Sequence, residues 1–199
     1  MTTQTLDAVA KKQRRRPKLR RMSEEKYLDL PGGKLVEFTN GFVEALPMPS
    51  EYHQDVVLNL VMALRAFVRS KNLGKVLCAP LPMKVDHLKY REPDVLFKRK
   101  QKLSGNPQET KFWDGADLVV EVVSQGSENR RRDLVVKRAA YAAAKISEYW
   151  LVDLKKSQVT VLKLRSGKYV VHGTFLANDQ VQSPLFPELA LSVVDIFKS

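Results

Sequence analysis

Apolar and polar positions recur along this chain with two different periods, and each change of period marks a new element. Leu35-Val-Glu-Phe-Thr39 and Phe42-Val-Glu-Ala-Leu46 alternate on either side of Asn40-Gly41. That pair predicts a β-hairpin, because a type I′ turn needs positive φ at both central residues. Before it, Ser23 followed by Glu24 and Glu25 predicts a short capped helix ending at Pro31-Gly-Gly33. After it, the period lengthens. Val57, Leu60, Val61, Leu64 and Val68 form one stripe of a long helix, with Ser50 as its cap and Gly74 as its stop. His53 lies one turn before Val57 on that face and is expected to point inward.

Lys75 to Leu81 reads as a strand that Met83 to Asp86 continues, and Val95-Leu-Phe97 as another, entered through Pro93-Asp94. Lys98 to Trp113 is polar and predicts no element. Asp117-Leu-Val-Val-Glu-Val-Val-Ser124 has the length and β-branched content of a strand buried on both faces. A turn at Ser124-Gln-Gly-Ser127 leads to a helix. Its apolar stripe is expected at Val135, Ala139, Ala142 and Ile146, and its solvent side at Arg131, Arg138 and Lys145. Glu148-Tyr-Trp-Leu-Val-Asp153 is a further strand. Gln158–Leu164 and Lys168–Phe175 form a hairpin around Ser166-Gly167, and Leu185 to Phe197 closes the chain as a short ordered segment. A strand–helix–strand passage implies a parallel crossover. The expected class is α/β: one mixed sheet flanked by α-helices, with an N-terminal β-hairpin.

Charge adds an arm to this picture. Residues 1 to 22 hold eight Lys/Arg and one Asp, while the remaining chain has 26 basic and 21 acidic residues. Without apolar periodicity, residues 1–22 are expected to be a disordered basic arm before a single domain over 23–199. The pattern suits a polyanion, nucleic acid before a membrane surface, although a basic arm can also serve solubility alone. No apolar run reaches the roughly 18 residues of a membrane span, and no secretory segment is evident, so the expected location is the cytoplasm. Cys78 is the only cysteine, which excludes an internal disulfide and a cysteine-rich zinc site.

The candidate chemistry is acidic. Glu121 interrupts the most apolar strand, where an ionised carboxylate costs several kcal/mol unless a cation or donors compensate. Asp94 sits at the mouth of another strand, and two such carboxylates on neighbouring strands suit a hard divalent cation. Lys137 projects away from the solvent side of its helix, among Ala140, Ala144 and Asp133. Each has a plainer reading: a turn aspartate, an acid on a half-exposed strand, and a surface pair of Asp133 with Lys137.

Pro93-Asp94, Glu121-Val-Val123 and a helical lysine resemble the PD-(D/E)XK nuclease superfamily, and more closely its Uma-type restriction endonuclease family in bacteria. Lys34–Gly41, Pro49–His53, Glu92-Pro-Asp94, Asp117–Ser124, Asp133 with Lys137 and Tyr141, and Glu148–Asp153 carry the likeness. It implies a restriction-endonuclease-like core and a Mg²⁺- or Mn²⁺-dependent endonuclease acting on DNA. Asp94 and Glu121 would hold the metal, with Lys137 as the active-site cation and Glu37 and His53 as supporting site residues. One departure matters: Val123 stands where the superfamily usually has its lysine, and members of this type carry it on the following helix. The rival reading is a nucleic-acid-binding module that kept the fold and lost the chemistry. Cutting both strands of a duplex would call for a homodimer.

Overall fold

The computed structural model describes residues 19–31, 35–123 and 132–199. Two six-stranded sheets replace the single sheet expected. The first has the order β1-β3-β2-β6-β5-β8, built from β1 (Arg20–Arg21), β2 (Val36–Thr39), β3 (Phe42–Ala45), β5 (Met83–Asp86), β6 (Lys89–Arg91) and β8 (Trp113–Asp114). The second has the order β12-β11-β10-β9-β7-β4, from β4 (Gly74–Cys78), β7 (Val95–Arg99), β9 (Leu118–Val123), β10 (Glu148–Asp153), β11 (Gln158–Arg165) and β12 (Lys168–Phe175). Each sheet is mixed through one parallel pair, β5 with β8 and β9 with β10.

The local signals that were strongest hold. Asn40 and Gly41 both have positive φ, and β2 pairs with β3 across them. Ser23 caps α1 (Glu24–Leu28), and Ser50 caps α2 (Glu51–Ser70) by accepting from the His53 amide. Helix α2 stops earlier than Gly74, at left-handed Asn72. Gly74 instead opens β4, where an added Cβ would lie 2.1 Å from the Lys98 carbonyl oxygen. The closing segment carries α4 (Val193–Phe197).

Several expectations are corrected. Met83–Asp86 does not continue the preceding strand: β4 is an edge of the second sheet and β5 lies in the first. Alternation reports which face is buried, and it cannot name the sheet. Arg20 and Arg21, assigned to the disordered arm, pair with Val43 and Phe42; residues 1–18 lie outside the described residues. So do the Ser124–Ser127 turn and Arg131.

The stripe of the third helix is also rotated. Residues Arg132–Lys137 form a π-helical turn before α3 (Arg138–Ala143). Wider turns shift the phase of every residue after them. Val135 and Ala139 are exposed, Ala142 and Ile146 pack into the core as expected, and Lys137 and Tyr141 also turn inward.

Alternation along β9 divides the interior. Leu118, Val120 and Val122 meet α2 and α4, whereas Val119 and Val123 meet Tyr141, Ile146 and the first sheet's Met83, Val85 and Trp113. Burial of each such side chain contributes about 1.5–3 kcal/mol. Glu121 belongs to the second set, so it faces the layer where α3 and the first sheet meet.

Candidate active site

Strand register puts the two acids together. β7 and β9 run antiparallel with Val95 opposite Val120, so Asp94, just before β7, falls beside Glu121. The Asp94 Oδ2 accepts a 2.7 Å hydrogen bond from the Val122 amide, which pins that carboxylate to the neighbouring strand. His53, in the first turn of α2, brings Nε2 to 3.6 Å from the same oxygen. The histidine thus stands beside Asp94.

Glu121 is buried and doubly held. Lys137 Nζ donates to Oε2 at 2.7 Å, and the Tyr141 hydroxyl donates to Oε1 at 2.5 Å. Lys137 and Tyr141 lie four residues apart, one turn along the helix, so one face delivers both donors. Burial, then the charge of Glu121, pushes the Tyr141 hydroxyl far above its ordinary pKa, so it remains a donor. Glu121 is not on a half-exposed strand and Lys137 is not on the surface, since their side chains are each only 4% exposed. The side chain of Asp133 lies outside the described residues.

The first sheet supplies the rest. Val36 and Phe38 of β2 face their own small core with Tyr27, Val43 and Tyr90. Glu37, between them, turns the other way and is buried, with Oε1 3.3 Å from Lys137 Nζ. Its Oε2 lies 3.6 Å from Arg91 Nε, and Arg91 donates to Thr39 Oγ1 and to the carbonyls of Phe38 and Tyr90. One ammonium therefore bridges a carboxylate of each sheet.

All five expected residues meet at one place, and three others join them. Arg91 fixes Glu37, Tyr141 fixes Glu121, and Glu92 adds a fourth acid. Glu92 is buried, and its Oε2 has no hydrogen-bond partner. Burial and the charge of Glu37 push its pKa up to about 8, against a backbone hydrogen bond at Val36 and the Lys137 charge. A signal for each existed: Arg91-Glu92 leads straight into Pro93-Asp94, and Tyr141 follows Lys137 by one helical turn. Neither points to a role without the tertiary contacts.

His53, Glu92, Asp94, Glu121 and Lys137 line a cavity of about 270 Å³ whose remaining wall is largely apolar. Among the described residues no three His, Cys, Asp or Glu side chains form a ready metal cage. Magnesium does not need one, since it takes one or two carboxylates and completes its shell with water and phosphate oxygens. The all-oxygen donor set of Asp94 and Glu121, and the orphaned oxygen of Glu92, fit such a hard cation.

A family model described as Uma2, putative restriction endonuclease, matches residues 24–194. Among solved structures, the chain is similar to a protein from Anabaena variabilis described as a putative nuclease belonging to DUF820. The TM-score is 0.70 at 18% identity, over 87% of this chain and 96% of that one. At that identity the likeness shows the fold, which is restriction-endonuclease-like. No curated protein matches.

Proposed function

Because the chain belongs to the Uma2 family of putative restriction endonucleases, we propose that it is a divalent-metal-dependent endonuclease acting on DNA. The observation that carries this reading is the Lys137 ammonium, buried between Glu121 and Glu37 in the cavity that also holds Asp94. A surface ion pair needs none of that burial, and a buried pair is often no more stable than well-packed apolar side chains in its place, so stability alone is a weak reason for it.

Asp94 and Glu121 would hold Mg²⁺ or Mn²⁺. When bound, such a cation polarises a phosphodiester and lowers the pKa of a water beside it. The chain's own residues do the rest. The Val122 amide and His53 orient Asp94, and Tyr141 fixes the plane of the Glu121 carboxylate. Lys137 exchanges part of its pairing with the carboxylates for the charge that grows on the phosphoryl oxygens. Arg91 keeps Glu37 in place, so that Lys137 is not drawn back into the protein. The basic arm adds affinity by releasing counterions from the DNA backbone.

The test is incubation with plasmid, single-stranded and branched DNA, with and without Mg²⁺ or Mn²⁺, alongside calorimetry of metal binding. Metal-dependent cleavage that Asp94→Ala removes is the expected result. No cleavage of any substrate together with no metal uptake would sink the enzyme and leave the binding module.

A further inference from the structure

The exposed face of α2 carries a second feature that runs directly out of the cavity. Leu58 helps to line that cavity, yet it is 55% exposed. Met62, Arg65 and Arg69 follow at spacings of four, three and four residues, which places all of them on one ridge. Met62 is 65% exposed, and both arginines are exposed. The helix keeps its two acids, Glu51 and Asp55, within its first five residues. From Leu58 to Arg69 the ridge is about 16 Å long, at 1.5 Å per residue, which is enough for several successive phosphates. Met48 is 82% exposed, and its neighbours in sequence, Pro47 and Pro49, are both part of the cavity wall.

We propose that this ridge is the track for a single unpaired DNA strand, whose scissile phosphate enters the cavity while the strand lies along Leu58, Met62, Arg65 and Arg69. The proposal rests on the nuclease reading of the cavity and specifies its substrate. Depth is the first argument. The Asp94 side chain is 20% exposed and those of Glu121 and Lys137 are 4%, so the reacting phosphodiester must reach into a narrow recess. One extended strand can do so, whereas a stacked, paired duplex would have to be distorted first. Chemistry is the second. Exposed Leu and Met at the mouth cost free energy in water and gain contact with unstacked bases, while guanidiniums further along hold phosphates. A paired duplex stacks its base faces inward and offers apolar residues only the base edges in its grooves.

Binding is measured apart from cleavage, by anisotropy in EDTA, with a labelled oligo-dT of roughly 16 nucleotides and a blunt hairpin duplex of equal length. The intact protein should bind the single strand about tenfold more tightly than the hairpin. Leu58→Ser with Met62→Ser should remove most of that preference. Arg65→Ala with Arg69→Ala should lower the log–log salt slope for the single strand by roughly 0.7 per lost contact. All four side chains are exposed, so an unchanged melting curve should certify each variant. Equal or tighter binding of the hairpin, no binding of either DNA, or two ridge variants that bind like the intact protein would each overturn the proposal. Absence of cleavage with the strand preference and its ridge dependence intact would overturn the nuclease reading alone.

Discussion

Two buried glutamates stand on neighbouring parallel strands, Glu121 on β9 and Glu148 on β10, and their surroundings differ. Glu121 shares its charge with an ammonium and opens onto a cavity. Glu148 is held by Trp150 Nε1 at 2.6 Å, Ser183 Oγ at 2.6 Å and the Leu185 amide at 2.8 Å. Those donors are neutral, and two of them belong to the segment leading to α4, so this carboxylate ties the chain's end to the second sheet. Burial pushes its pKa upward against those hydrogen bonds. Burial of a carboxylate is therefore no sign of chemistry. What distinguishes Glu121 is a charged partner that a phosphate could draw away, next to open space.

The sharpest way to break this comparison is to remove each acid in turn. Asp94→Ala and Glu121→Ala should each reduce metal-dependent cleavage on the order of 10²–10³-fold or more. Glu121→Ala should stay folded, because Lys137 keeps Glu37 as a partner. Full cleavage by either variant, measured on plasmid, would remove these positions from the site.

Glu148→Ala should do the reverse. Three donors lose their acceptor, which should cost about 3–5 kcal/mol of stability in urea melts. Cleavage per folded molecule should stay near wild type. A stable variant with lost cleavage would erase the distinction between the two glutamates.

Lys137→Ala should lower cleavage on the order of 10²-fold, and Lys137→Arg should also be impaired because a planar guanidinium does not replace a compact ammonium. Lys145→Ala, exposed beyond α3, is the control. If the Lys137 and Lys145 variants cleave alike, the buried pair is structural.

The smallest effect is in pH. The folded pKa of Glu148 lies above its unfolded value, so the folded state retains a proton that the unfolded chain has released. Its contribution is complete below the ordinary carboxylate range near pH ~4.3 and is lost as pH rises through the raised folded value. Wild type should lose at most about 1.4 kcal/mol per pH unit through this window relative to Glu148→Gln. Parallel stability profiles for the two proteins would show that folding does not shift the Glu148 carboxyl.

Sequence alone determined the pieces whose causes are short-ranged. Asn40-Gly41 commits a turn through its own backbone, Ser23 and Ser50 cap helices within three residues, and alternation along Leu118–Val123 puts Glu121 opposite Val120 and Val122 whatever packs there. The inward aspect of Lys137 was also legible, although for an incomplete reason. Arg131, Arg138 and Lys145 mark a solvent side in the sequence, yet Arg138 donates to the Tyr169 carbonyl. Tertiary structure decided everything that depends on which distant segment arrives. Whether Met83–Asp86 extends one sheet or enters another, whether Glu92 finds a donor for Oε2, and which buried glutamate receives an ammonium are set by partners tens of residues away. The π-helical turn at Arg132–Lys137 joins the two levels. Lys137 closes that turn one helical turn before Tyr141, and only the arrival of β9 brings the two oxygens of Glu121 onto that pair.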